Sequence, residues 1–254
     1  VAVRARLGLV ALLVALAGVA WWSTAGRMAG MDNGPGSDLG TIDWFVSVWV
    51  VMMAAMMLPS VSPTVALYAR MTRGRGLIHA LLFTSGYLLV WTAAGLVAFG
   101  LFDVGRNLFG QQLAWDSGGH WFAGGVLATA ASYEVSPFKN VCLAKCRTPL
   151  GFLLSVWRDG KRGALEMGAR HAAWCVGCCW ALMAALFALG VMSLVWMAFV
   201  AALITIEKTL PWRRVATVGT AAVLLVLAVG LIVAPHGVPG LVVPGSAADQ
   251  TLMR

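Results

Sequence analysis

Apolar segments as long as a bilayer core recur along most of the chain, and this limits its possible folds more than any other feature. A helix needs about 20 apolar residues to cross about 30 Å of hydrocarbon. Seven segments approach or exceed that length, at residues 7–22, 43–58 (continuing to 68), 77–101, 119–135, 168–189, 191–207 and 215–234. The fourth and sixth are short, and Gly190 is the only turn candidate between the fifth and sixth. Backbone amides cannot stay unpaired in lipid, so the pattern predicts an all-α, polytopic transmembrane helix bundle. No composition shift marks a soluble module, and residues 1–254 are read as a single integral membrane domain. Charged residues make up 11% of the chain, against about 25% in soluble domains. The same composition excludes intrinsic disorder, which needs low hydrophobicity.

The basic residues orient this bundle. With the N-terminus inside, fifteen of the eighteen Lys and Arg fall in inside segments, leaving only Arg27, Arg106 and Arg254 outside. The positive-inside rule therefore predicts N-inside, C-outside. The net charge of +8 is then accounted for by orientation and by attraction to anionic cytoplasmic lipid. It does not call for nucleic acid as a partner. Arg4 and Arg6 before an apolar run also fit a secretory signal, but no small-residue cleavage pattern precedes Trp21 and Trp22, so the first helix is expected to be retained.

The inside connection 136–167 carries its own structure. Ser136 and Pro137 form a helix start, with a capping hydroxyl and Pro in the first turn. A short helix is predicted from Pro137 to Cys146. An interfacial apolar stretch over 151–157 and a turn over 159–163 follow.

All five cysteines lie between Cys142 and Cys179. Cys142 and Cys146 are four apart and share a helix face. His171, Cys175, Cys178 and Cys179 read H-x3-C-x2-C-C. His171 and Cys175 are one turn apart, and Cys175 stacks on Cys178 and Cys179 at i+3 and i+4. A lone cysteine in a membrane is a small hydrophobe. Five of them in register with an imidazole have the spacing and softness of a metal site. Cys175 and Cys178 also fit C-x-x-C, so a thiol–disulfide oxidoreductase is a second reading. The inside location disfavours a stable disulfide. Thiolates in low dielectric favour a cation to neutralise them. A third reading is an assembly or structural subunit of a membrane complex, with the cysteine face as its interface.

The second segment adds Met52, Met53, Met56 and Met57, two i,i+4 pairs ahead of Pro59. Thioethers select Cu(I), although methionine also fills gaps between helices. Together the sulfur ligands favour Cu(I), with zinc as the alternative. Glu134 and Glu207 close the fourth and sixth segments, where an ionisable residue invites a functional reading. Near the inner surface they are expected to be hydrated, with Glu207 pairing to Lys208 or Arg170, and a proton or cation relay is their possible role. His79, His120 and His236 stand apart at loop ends, where solvent is the expected surrounding. No G-x-S-x-G, Walker loop, dinucleotide fingerprint or H-E-x-x-H is present.

These motifs resemble a bacterial family of metal-binding integral membrane proteins known only as a domain of unknown function. The resemblance rests on Trp49 to Met57 with Leu58-Pro59-Ser60, Pro137-x-Lys139-x-x-Cys142-x-x-x-Cys146, and Pro149-Leu150-Gly151-Phe152. It continues through Trp157-Arg158-Asp159-Gly160, His171-x-x-x-Cys175-x-x-Cys178-Cys179-Trp180 and Glu207-Lys208. It implies a multi-pass protein of the bacterial inner membrane that binds metal, and it supplies no reaction. Copper transport, or delivery to a metal chaperone or membrane metalloenzyme, is the function expected from the residues themselves.

Overall fold

The computed structural model describes residues 2–28, 39–72, 76–110, 118–191 and 193–234. Among them the chain is all-helical, in the order α1 (Ala2–Met28), α2 (Ile42–Met71), α3 (Gly76–Phe109), α4 (Gly119–Glu134), α5 (Pro137–Arg147), α6 (Pro149–Ser155), α7 (Gly160–Leu189), α8 (Leu194–Thr209) and α9 (Arg213–Val233). Five of these, α1, α2, α3, α7 and α9, are long and apolar enough to cross a membrane. α4 and α8 have sixteen residues each, about 24 Å of rise, which is short of the hydrocarbon thickness.

Several boundaries differ from expectation. α3 runs on to Phe109, past the expected end at residue 101, and α1 extends beyond both ends of 7–22. α7 begins at Gly160 rather than near residue 168. The chain turns on Gly160, whose φ of +81° suits glycine. Glu166 then accepts from Arg158 at 2.6 Å and from Arg170 at 2.9 Å, tying the turn to the first part of the helix. The expected turn over 159–163 is therefore mostly helix. Gly190 does make the bend between α7 and α8, with φ +111°.

α2 continues through Pro59 and Pro63. Proline lacks an N–H, so Pro63 leaves the Pro59 carbonyl without its intrahelical donor. The Ser62 hydroxyl donates to that carbonyl at 2.9 Å, as hydroxyls do in apolar helices.

The helices fall into two compact units. The first comprises α1, α2, α3 to Val97, α5 from Val141, α6 and α7 to Cys178. Here α3 and α7 approach closely because each offers a glycine. A Cβ on Gly86 would strike the Leu165 carbonyl, and one on Gly168 the Phe83 carbonyl. Small residues at helix interfaces allow such contacts. α2 meets α3 in the same manner: the Trp49 indole lies over Gly95 and donates to the Trp91 carbonyl at 2.8 Å. Gly168→Val is expected to cost about 1–3 kcal/mol through overpacking. The measurement is the thermal midpoint, with Gly100→Ala, where nothing approaches, as a control that should not fall.

The second unit comprises the rest of α3, α4, α5 to Asn140, α7 from Cys179, α8 and α9. α9 packs along α4 and also touches α8. Gly124 makes room for Ile232, whose Cγ1 would lie 2.6 Å from an added Cβ.

Candidate metal centre

α5 is positioned by its first turn. The Ser136 hydroxyl accepts from the Lys139 amide at 3.2 Å, the expected cap on the third helical N–H. The helix presents Cys142 and Cys146 one turn apart, as expected from their spacing.

Within the first unit three sulfurs converge. Sγ of Cys146, Cys175 and Cys178 all lie within 4.8 Å of one another. The Cys146 and Cys178 sulfurs are 3.7 Å apart. A disulfide requires about 2.05 Å, and all five cysteines are thiols. Cys175 and Cys178 are about 1% exposed, and Cys146 is half-buried. The set therefore joins two buried sulfurs of α7 to a more accessible one on α5. The Tyr87 hydroxyl of α3 lies 3.0 Å from the Cys175 sulfur, close enough to donate to a thiolate. Local spacing held no sign of Tyr87, which is 88 residues away in sequence.

The remaining sequence-expected residues lie around this set or apart from it. Cys142 is not one of the three converging sulfurs. Its sulfur rests on α7 where Gly177 has no side chain, 2.8 Å from where a Cβ would stand. Burial pushes the Cys142 thiol up, so it keeps its proton at neutral pH until a cation displaces it. His171 is buried in an aromatic box of Phe83, Tyr87 and Phe152, whose ring centroids lie 6.0, 6.1 and 4.8 Å from its own. It is likewise outside the three-sulfur set. Met52, Met53, Met56 and Met57 are all at most 2% exposed in α2. Cys179 is buried in the second unit.

The carboxylates require a correction. Glu134 and Glu207 are buried rather than hydrated at a surface, and Arg170 pairs with Glu166. Glu134 and Glu207 both accept from Nζ of Lys139, with 2.7 Å to Glu207. Burial alone would push the Lys139 ammonium down, but the two carboxylates outweigh it and its pKa is raised. Lys139 was missed because its partners are five and 68 residues away, separations that no helical periodicity reports. His79 is also buried rather than solvated, at 7% exposure. It lines a cavity of about 160 Å³ with Tyr68, Met71, Trp157, Arg158 and Asp159. His236 lies outside the described residues.

Buried thiols brought within contact of one another in an apolar helical protein define a class that handles soft metals. The match to known families gives that class a narrower identity. Residues 46–231 match the PpoB2 family model, described as copper chaperone, and the chain belongs to that family. No curated protein and no solved structure matches it. The family and the thiol cluster together support copper binding, in agreement with the metal binding that the sequence resemblance implies.

Proposed function

We propose that this chain is a single integral membrane domain that binds Cu(I) near the cytoplasmic face of the bacterial inner membrane and hands it to a membrane partner. The observation that carries this reading is the convergence of Cys146, Cys175 and Cys178. A metal–sulfur bond of about 2.3 Å in a trigonal plane places the sulfurs about 4 Å apart, which fits their mutual distances. Three soft donors suit Cu(I), whereas structural zinc takes four ligands. Cys146, the least buried of the three, is the natural point of entry and exit. Cys142 and His171 lie along the same two helices of the first unit as supplementary donors. Met52, Met53, Met56 and Met57 are neutral waypoints, since exchange between weak neighbouring sites lets an ion leave as well as arrive.

The membrane reading rests on the five long apolar helices and on the basic residues collected on one side. α4 and α8 complete seven spans, N-inside and C-outside, with 136–167 at the inner interface and lipid around the bundle. Reporter fusions at residues 110 and 159 should fall on opposite sides of the membrane.

The copper reading is tested on the detergent-purified full chain by elemental analysis and X-ray absorption at the copper edge. Bound Cu(I) in an all-sulfur environment is the expected result. An ion held only by nitrogen and oxygen, or no copper at all, would overturn it. Thiol trapping in intact cells separates the redox alternative, because a copper site keeps its cysteines reduced through turnover. Tyr87→Phe removes the hydroxyl beside Cys175 and is expected to weaken copper binding about tenfold, the lower end for outer partners of metal ligands. Competition with a Cu(I) chelator measures that change.

A further inference from the structure

The second unit contains a buried charged cluster that has no part in holding a thiophilic ion. Lys139 Nζ donates to Oε2 of both Glu134 and Glu207, and the three side chains are 0%, 0% and 2% exposed. Fully ionised, the set has one ammonium and two carboxylates, a net charge of −1 in a site closed to water. Such a charge is strongly disfavoured. The Glu134 and Glu207 carboxyls share one ammonium nitrogen and therefore stand beside each other. Two carboxylates in that position repel, and a proton on one of them removes the repulsion. Among the described residues, Glu134 Oε1 is buried and accepts no hydrogen bond. A carboxyl proton shared with Glu207 answers both the charge and the geometry.

We infer that Glu134, Lys139 and Glu207 form a proton-binding site that holds one exchangeable proton on its carboxyl pair at neutral pH. The occupied site is then one carboxylic acid, one carboxylate and one ammonium, with zero net charge. Its ligand is the proton: none of the three groups is a soft donor for copper, and Lys139 already occupies the place of a metal cation. Other cationic groups lie nearby in sequence or packing. Lys208, the neighbour of Glu207, is half-buried, while Arg213 and Arg214 of α9, the helix packed on α4 and α8, are exposed. The three groups come from α4, α5 and α8. Proton uptake therefore neutralises the meeting point of three helix ends, and release leaves it with a buried negative charge that favours their separation.

Infrared spectroscopy of the purified full chain in H2O and D2O, across a pH series, tests this independently of copper. The wild type is expected to show a protonated-carboxyl C=O band at neutral pH that shifts in D2O and is lost on alkalinisation. Glu134→Gln and Glu207→Gln should each abolish it, because the remaining carboxylate and ammonium neutralise one another without a proton. Absence of the band in the wild type at neutral pH, or its persistence in both variants, would overturn the inference. Should a variant not fold, the wild-type pH series alone decides. A band that titrates supports the site, and no band rejects it.

Discussion

Changing Cys175 and Cys178 together to Ser is expected to abolish stoichiometric copper binding. The two residues supply the buried sulfurs of the three-thiol set, and only Cys146 would remain. Loss of an outer partner of a metal ligand costs about 10–100-fold in affinity, so losing two ligands should lie at or beyond the upper end of that range. The fold should survive. A serine hydroxyl is close in size to a thiol and can bond back to the preceding turn, as Cys178 already does to the Cys175 carbonyl at 3.2 Å. Circular dichroism and elution volume check the fold, and elemental analysis checks the metal. Cys179→Ser is the matched comparison: the residue is buried in the same helix but is not one of the converging three. It is expected to retain copper. Equal loss in both variants would extend the site to Cys179, and unchanged copper in the double variant would remove the site from these residues altogether.

Lys139→Met should have the largest effect on stability. Methionine fills a similar volume, but the two carboxyls keep their buried positions and lose the Lys139 ammonium they share. Breaking a buried ion pair by removing one partner costs about 3–5 kcal/mol, a large share of the roughly 5–15 kcal/mol that holds a typical domain together. The expected outcome is a marked fall in folded yield and thermal midpoint. Lys145→Met provides the control on the same helix. Lys145 is exposed, and surface changes of this kind usually stay within about 0.5 kcal/mol. A midpoint for Lys139→Met as high as that of the control would mean that the buried cluster does not hold α5 in place.

Much of the helix pattern was readable along the chain, for reasons that are local. Hydropathy located every long helix. Ser136 and Pro137 announced the start of α5, since capping needs only residues three positions apart. Gly190 marked the bend between α7 and α8, because glycine accepts the positive φ required there. The start of α7 was misjudged: Gly160 and Asp159 resemble a loop, while the Glu166 pairs that extend the helix back to that point involve separations of four and eight residues. His79 was misjudged because the residues that share its cavity, Tyr68 and Trp157 among them, lie outside its own helix.

The candidate site divides along the same line. That thiols and an imidazole share one stripe of α7, and that Cys142 and Cys146 share a face of α5, follows from 3.6 residues per turn acting on contiguous sequence. Which sulfurs meet does not. The choice of Cys146, Cys175 and Cys178, the Tyr87 hydroxyl beside them, and the union of Glu134 and Glu207 through Lys139 all arise where helices distant in sequence pack together. Helical periodicity determines the direction in which a side chain leaves its own helix. The identity of the group it meets is decided by close packing, in positions such as Gly177 where the absence of a side chain admits a sulfur from another helix.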